Sequence, residues 1–175
     1  MKKILIILLI LFIIFSLIKN EETLVIPDES IRFRVVANSN SKEDIEVKEY
    51  LTNIIIDNNK EIFQGKSLSE SRKLINDNIS NINSLIKDTF DEINYNKDYK
   101  VNYGINYFPK KIYKGIKFDL GYYESLVITI GEGKGNNYFC VMFPPLCLVD
   151  ENYEEVEYKL KIEEMLKKYI IKKYK

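Results

Sequence analysis

The chain has 175 residues, 46% hydrophobic and 30% charged, with 26 basic and 26 acidic side chains. Such a composition supports one folded domain, argues against disorder, and leaves no cationic excess for grasping nucleic acid. Histidine is absent and cysteine occurs twice, which removes His general bases, Ser–His and Cys–His nucleophile pairs and most zinc sites.

Lys2 and Lys3 precede an apolar run from Ile4 to Ile18, broken only by Ser16 and closed by Lys19. As a helix it would span about 22 Å, short of a hydrocarbon core of about 30 Å. A basic head and a run of this length predict residues 1–20 as an export signal. No small-x-small cleavage pattern lies near Ser16, so a short anchor with Lys19 snorkelling to the interface is the other expectation. Residues 21–175 are then an extracytoplasmic domain. Three of the 26 cations fall in the leader, so that domain carries acids in slight excess and no reason to adhere to anionic polymers.

After Pro27, Ile31-Arg-Phe-Arg-Val-Val-Ala37 has the two-residue period of a half-buried strand, with Arg32 and Arg34 on one face. These two arginines read either as a partner's carboxylate-binding pair or as an exposed face paired with neighbouring acids. Asn38-Ser-Asn-Ser41 is a turn, and Ser41 with Asp44 resembles a capping box opening a helix. Val47, Leu51, Ile54, Ile55 and Asn58 share one side of that helix, and Gly65 is expected to end it. Ser67 with Glu70 opens a second helix whose apolar stripe is Ile75, Ile79, Ile82, Ile86 and Phe90.

From Tyr99 the period returns to two through Val101, Tyr103, Ile105 and Tyr107, until Pro109 stops the strand. Ser125–Ile130 is a strongly β-prone run, and Asn137–Phe143 is another strand, broken by Pro144-Pro145. The glycines Gly131, Gly133 and Gly135 between them read as a hairpin turn demanding positive φ. A phosphate loop is the weaker reading, because Lys134 is followed by Gly135 rather than by Ser or Thr and a helix. The tail from Tyr153 to Tyr169 reads as an amphipathic helix on Val156, Leu160, Ile162, Met165, Leu166 and Tyr169. The order β-α-α-β-β-β-α predicts a single α+β domain, with helices packed on a mainly antiparallel sheet.

Cys140 and Cys147 are separated by six residues. Fully extended, that stretch would hold their Cα atoms about 23 Å apart, against the ~4.4–6.8 Å a disulfide needs. The Pro144-Pro145 break allows the chain to fold back and close a bridge; two buried thiols are the alternative. In a chain without histidine, carboxylates are the remaining catalytic option, and Asp119, Glu124 and Glu132 are the candidates for an acid/base pair. Their spacing does not distinguish them from solvated surface acids. Tyrosines at 99, 103, 107, 113, 122 and 123 suit either a contact surface or a core flank.

Two stretches carry a family resemblance. Ile26-Pro-Asp-Glu-Ser-Ile-Arg-Phe-Arg-Val-Val-Ala-Asn-Ser-Asn-Ser41 resembles the opening of the stage II sporulation protein R family. Ser125-Leu-Val-Ile-Thr-Ile-Gly-Glu-Gly-Lys-Gly-Asn-Asn-Tyr-Phe-Cys-Val-Met-Phe-Pro-Pro-Leu-Cys147 is similar to its second signature. Tyr138 and Phe139 stand where the family usually shows Trp, and Asn40 where an Asp is expected. The resemblance implies an exported intercellular signal of a spore-forming bacterium, sent across the inner forespore membrane into the space between two cells. There the family triggers a membrane-embedded aspartic protease that removes the pro-sequence of sporulation sigma factor E.

On that reading the chain is a ligand with no cofactor, no nucleic-acid partner and no small-molecule substrate. Its membrane contact is through the N-terminal segment, and its candidate contact residues are Arg32, Arg34, Asn38, Gly131, Gly133, Gly135 and Asn137. A carboxylate-dependent wall hydrolase and a membrane-tethered structural protein of the spore envelope are the rival readings.

Overall fold

The structure is a computed structural model that describes residues 24–113, 116–149 and 152–173. The predicted leader, residues 1–20, lies outside the described residues.

The strand β2 (Ile31–Val36) organises the molecule. Apolar side chains at 31, 33 and 35 go to one face, and Arg32, Arg34 and Val36 to the other. It pairs in parallel with β6 (Gly121–Ile130) and antiparallel with β7 (Asn137–Phe143), and β6 pairs antiparallel with β3 (Tyr99–Phe108). The sheet order is β3-β6-β2-β7. Two helices, α1 (Lys42–Asn58) and α2 (Leu68–Glu92), cover the face of Phe33 and Val35. The core there joins Leu51 and Ile55 of α1, Ile75, Ile82 and Ile86 of α2, and Leu126, Ile128 and Ile130 of β6.

Three short strands complete a second sheet of order β1-β5-β4: β1 (Leu24–Val25), β4 (Lys111–Tyr113) and β5 (Ile116–Phe118). It packs on the far side with the terminal helix α3 (Glu155–Lys173), joining Ile116, Phe118 and Val141 to Tyr158, Ile162 and Leu166. The result is the expected α+β architecture, with a mixed, mainly antiparallel sheet and three short strands added to the predicted order.

Local differences from expectation have local causes. The first helix stops at Asn58 rather than running to Gly65, because Asn58 and Asn59 turn their side-chain amides onto the Ile54 and Ile55 carbonyls at 2.9 and 3.0 Å. A 3-10 turn, Ile62–Gln64, then plugs Ile62 and Phe63 into the core. Asn58 itself is exposed and Asn59 buried. In α3 the buried stripe runs through Tyr158, Ile162 and Leu166, while Val156 and Leu160 stay in solvent. Strand β6 starts at Gly121, four residues before the β-prone run.

The largest correction concerns the glycine turn. Strands β6 and β7 do not pair with each other but flank β2 on either side. The segment between them is a crossover over the end of β2, not a hairpin.

Candidate functional site

That crossover meets the turn by which the chain leaves β2, and the two family-like stretches become one structure there. Asn38 holds it from three sides. Its carbonyl accepts from Lys134 N–H at 3.0 Å, its side-chain oxygen accepts from Glu132 N–H at 3.0 Å, and its amide nitrogen donates to Asp44 Oδ2 at 2.9 Å. Gly135 N–H donates to Ala37 O at 2.9 Å, and Asn136 N–H to Asn40 Oδ1 at 2.8 Å. Asn40 thus serves as an acceptor where an aspartate was the family expectation.

Two glycines permit this closeness. Gly131 has φ of +51°, and a Cβ on Gly135 would lie 2.2 Å from the Ser39 carbonyl oxygen. A phosphate loop needs backbone N–H groups that point at the ligand. Here the N–H groups of residues 131 to 136 are all engaged within the chain, and Lys134 is paired with Glu132 at 2.7 Å. The loop is a clamp, with no amide cradle to offer an anion.

Asp44 anchors the clamp from below. It is buried, its N–H donates to the Oγ of Ser41, the residue that caps α1, and its carboxylate accepts from Asn38, from the Ser39 hydroxyl and from the Tyr95 hydroxyl. These donors hold its carboxyl well below the ordinary aspartate range, the Ser39 and Tyr95 bonds outweighing the opposing effect of burial. Burial, and then the same bond, push the Tyr95 hydroxyl up.

Arg32 is not on an exposed strand face. It is fully buried, its guanidinium 3.2 Å from the centroid of the Tyr123 ring and 5.4 and 5.9 Å from those of Phe108 and Phe118. The small sheet that carries Phe118 closes over it. None of its guanidinium nitrogens finds a hydrogen-bond partner among the described residues, and burial lowers its pKa from the ordinary value. Arg34 is half-buried, stacks 4.6 Å from the centre of Phe108, and donates through Nη1 to Tyr107 O at 3.1 Å. Among the described residues neither arginine forms an ion pair; both lie against aromatic faces, with Asp28 and Asp119 acting on Arg32 only at longer range.

The two cysteines form a disulfide with Cα atoms 5.2 Å apart, tying the middle of β7 to the turn after Pro144-Pro145. Asn137 opens β7 and borders a groove of about 380 Å³ between α1 and β4, walled also by Lys48, Asn53 and Lys111.

The three candidate acids do not converge. Glu132 lies beyond one end of β6 and Asp119 before the other, about 30 Å of strand between them. Asp119 pairs with Lys117 at 2.8 Å. Glu124 is gripped by Arg72 through Nε and Nη2 at 3.0 and 2.8 Å and accepts from Tyr103, which lowers its pKa. A general acid needs the opposite shift. Among the described residues no group of His, Cys, Asp or Glu is placed to hold a metal ion, and no helix is long and apolar enough to cross a membrane.

One feature was only partly foreseen, since the sequence offered Tyr107 and Tyr122 as contact surface or core flank but gave no sign of Ile105 and Leu120. Ile105, Tyr107, Leu120 and Tyr122 are large apolar side chains left in solvent at one end of β3 and β6. Periodicity showed which residues of β3 share a face but not where the helices stop covering it. The available signal was the absence of any Asp or Glu from Tyr99 to Phe118, beside five lysines.

Comparison with known proteins adds a family to this geometry. A family model described as stage II sporulation protein R matches residues 27–153. The chain is 34% identical over 166 residues to the stage II sporulation protein R of Bacillus subtilis (strain 168), covering 86% of this chain and 73% of that protein. No solved structure matches.

Proposed function

The chain belongs to the stage II sporulation protein R family, and from that premise we propose that it is an exported signalling protein acting by docking. In this reading it crosses the inner forespore membrane on its leader, or stays anchored by it. It then activates the membrane-embedded aspartic protease that processes pro-sigma-E. The observation that carries the reading is the assembly of the two family stretches, 94 or more residues apart, into one clamped corner whose polar groups are spent on each other. A corner so satisfied presents a fixed shape for recognition; it holds no free nucleophile, no raised carboxylate and no anion cradle. The disulfide accords with an oxidising compartment outside the cytoplasm.

Activation by binding requires the ligand to favour the active arrangement of the protease over the inactive one, since equal affinity for both shifts nothing. The test is co-expression of this chain, the receptor protease and pro-sigma-E in a non-sporulating host. Processing is expected only with all three present and the export segment intact. Processing without the chain, or by the chain without the receptor protease, would overturn the reading.

A further inference from the structure

Among the described residues β7 ends the main sheet, where β2 is its one strand neighbour. The groove beside Asn137 runs along the open side of β7. Asn137, Tyr138 and Phe139 all line it, although successive side chains of a strand point to opposite faces. A groove that both faces reach lies at the strand's edge. Asn136 gives its carbonyl to Ala37 on the β2 side, so by alternation the backbone of Tyr138 also faces β2, and that of Asn137 and Phe139 faces the groove. The floor is preformed: Tyr138 packs edge to face on Phe33 at 6.3 Å on the helix side, and Phe139 on Phe118 at 5.1 Å on the far side. Helix α1 makes one wall with Lys48, Glu49 and Asn53, and β4 the other with Lys111 and Tyr113.

Charge lies on both walls. The side chain of Lys48 is 8% exposed, and its ammonium stands 3.7 Å from Glu49, an acid mostly in solvent. So long a contact offsets little of the cost of burying a cation. A lysine that only guarded an edge would hold its ammonium in water. Across the groove the Lys111 ammonium lies 4.3 Å from the centre of the Phe139 ring. Two cations against one acid, with the side-chain amides of Asn53 and Asn137, suit carboxylates set on an extended chain. A second copy entering by its own β7 edge would bring Lys48 and Lys111 against the same pair, which like charge opposes. A lipid headgroup would meet the lysines but offer the backbone of Asn137 and Phe139 no strand.

We propose that this groove docks an extended, acidic segment of the receptor as a short added strand. Its backbone pairs with Asn137 and Phe139, and two successive acidic residues, pointing to opposite faces, reach Lys48 on one wall and Lys111 on the other. The groove opens directly from the clamped corner, which Asn136 closes on Asn40. The proposal rests on the receptor-activation reading above.

The experiment places a photo-cross-linking amino acid at the exposed Asn53 on the groove wall, or as control at the exposed Lys87 on α2, in the exported full chain co-expressed with tagged receptor. In parallel it measures processing by two variants. Lys48→Met, Lys111→Gln removes both charges, and Asn53→Glu adds a carboxylate at an exposed wall position. The expected result is a receptor adduct from position 53 and not from 87, with processing reduced at least fivefold by either variant and secretion and melting temperature unchanged. If the double variant is not secreted, Asn53→Glu decides alone. No adduct at 53, equal adducts at both positions, or a secreted variant that loses less than fivefold overturns the docking groove. A homodimer adduct from 53 without a receptor adduct overturns it in favour of a second copy. Binding of phosphatidylglycerol vesicles that the double variant loses, again without a receptor adduct, overturns it in favour of lipid. If the parent itself yields no processing, the activation reading fails, and the adduct at 53 still decides whether the groove docks that protein.

Discussion

Arg32 and Asp44 are both buried charges, and they stand at opposite ends of the range of compensation. Asp44 is surrounded by donors: losing its charge leaves Asn38, Ser39 and Tyr95 with a poorer acceptor. Hydrogen bonds to a charged group contribute about 1.5–3 kcal/mol each at most, so Asp44→Asn is expected to cost about 2–3 kcal/mol at neutral pH. The folded carboxyl titrates below its unfolded value of about 3.9. Its contribution is therefore complete above that pH and is lost as the pH falls through the folded value. Urea midpoints of parent and Asp44→Asn should differ fully at pH 7, begin to approach each other below about pH 4 and meet only below the folded value; a gap independent of pH would show that the carboxylate charge contributes nothing.

Arg32 makes no well-formed hydrogen bond among the described residues; it lies against rings, and only Tyr123 and the more distant charges of Asp28 and Asp119 offset its burial. Burying such a cation costs several kcal/mol, against about 2 kcal/mol or more for a desolvated cation–π contact. Arg32→Met is accordingly expected to melt no lower than the parent, and Arg32→Glu, which buries a carboxylate among aromatic faces, to lose at least 3 kcal/mol. Equal melting of Glu and Met variants would mean that the site opens to water. For the same reason a charge reversal at 32 reads stability, and Arg34 is the better residue on which to test contact with a partner.

At the scale of elements, the sequence reveals what is periodic and locally capped. Ser41 and Ser67 each accept from the N–H three residues on, as their spacing with Asp44 and Glu70 predicts. The stripe of α2 and the start of β3 at Tyr99 follow from period alone. What period cannot give is which strands become neighbours. Gly131, Gly133 and Gly135 look the same in sequence whether they turn a hairpin or carry the chain across β2, because both need glycine for tight backbone approach. Arg32 misled for a related reason: alternation placed it opposite Phe33, but a second sheet of two- and three-residue strands, each too short to show a pattern, covers that face. The disulfide was one of two open readings, since closure depends on how the chain turns after Pro145.

At the scale of the whole molecule, the question is whether the domain alone is the signal or whether its position at a membrane is part of it. The three hydrophobic clusters of the described residues use side chains from Leu24 onward. The described residues thus carry a core of their own. A tether, however, raises the effective concentration of a ligand facing a membrane-bound receptor to about the millimolar range, and removing it forfeits that advantage without touching any contact. The two cases separate in the co-expression assay when residues 1–20 are replaced by an unrelated, efficiently cleaved export signal. If the native leader is an address, processing should stay within about twofold of the parent while the chain appears free of the membrane. If it is an anchor, processing should fall by orders of magnitude and recover when the soluble domain is supplied in excess, because mass action can replace a lost tether but not a lost contact surface. We expect the first outcome, because the clamped corner proposed as the recognition element is formed by contacts within residues 37–136.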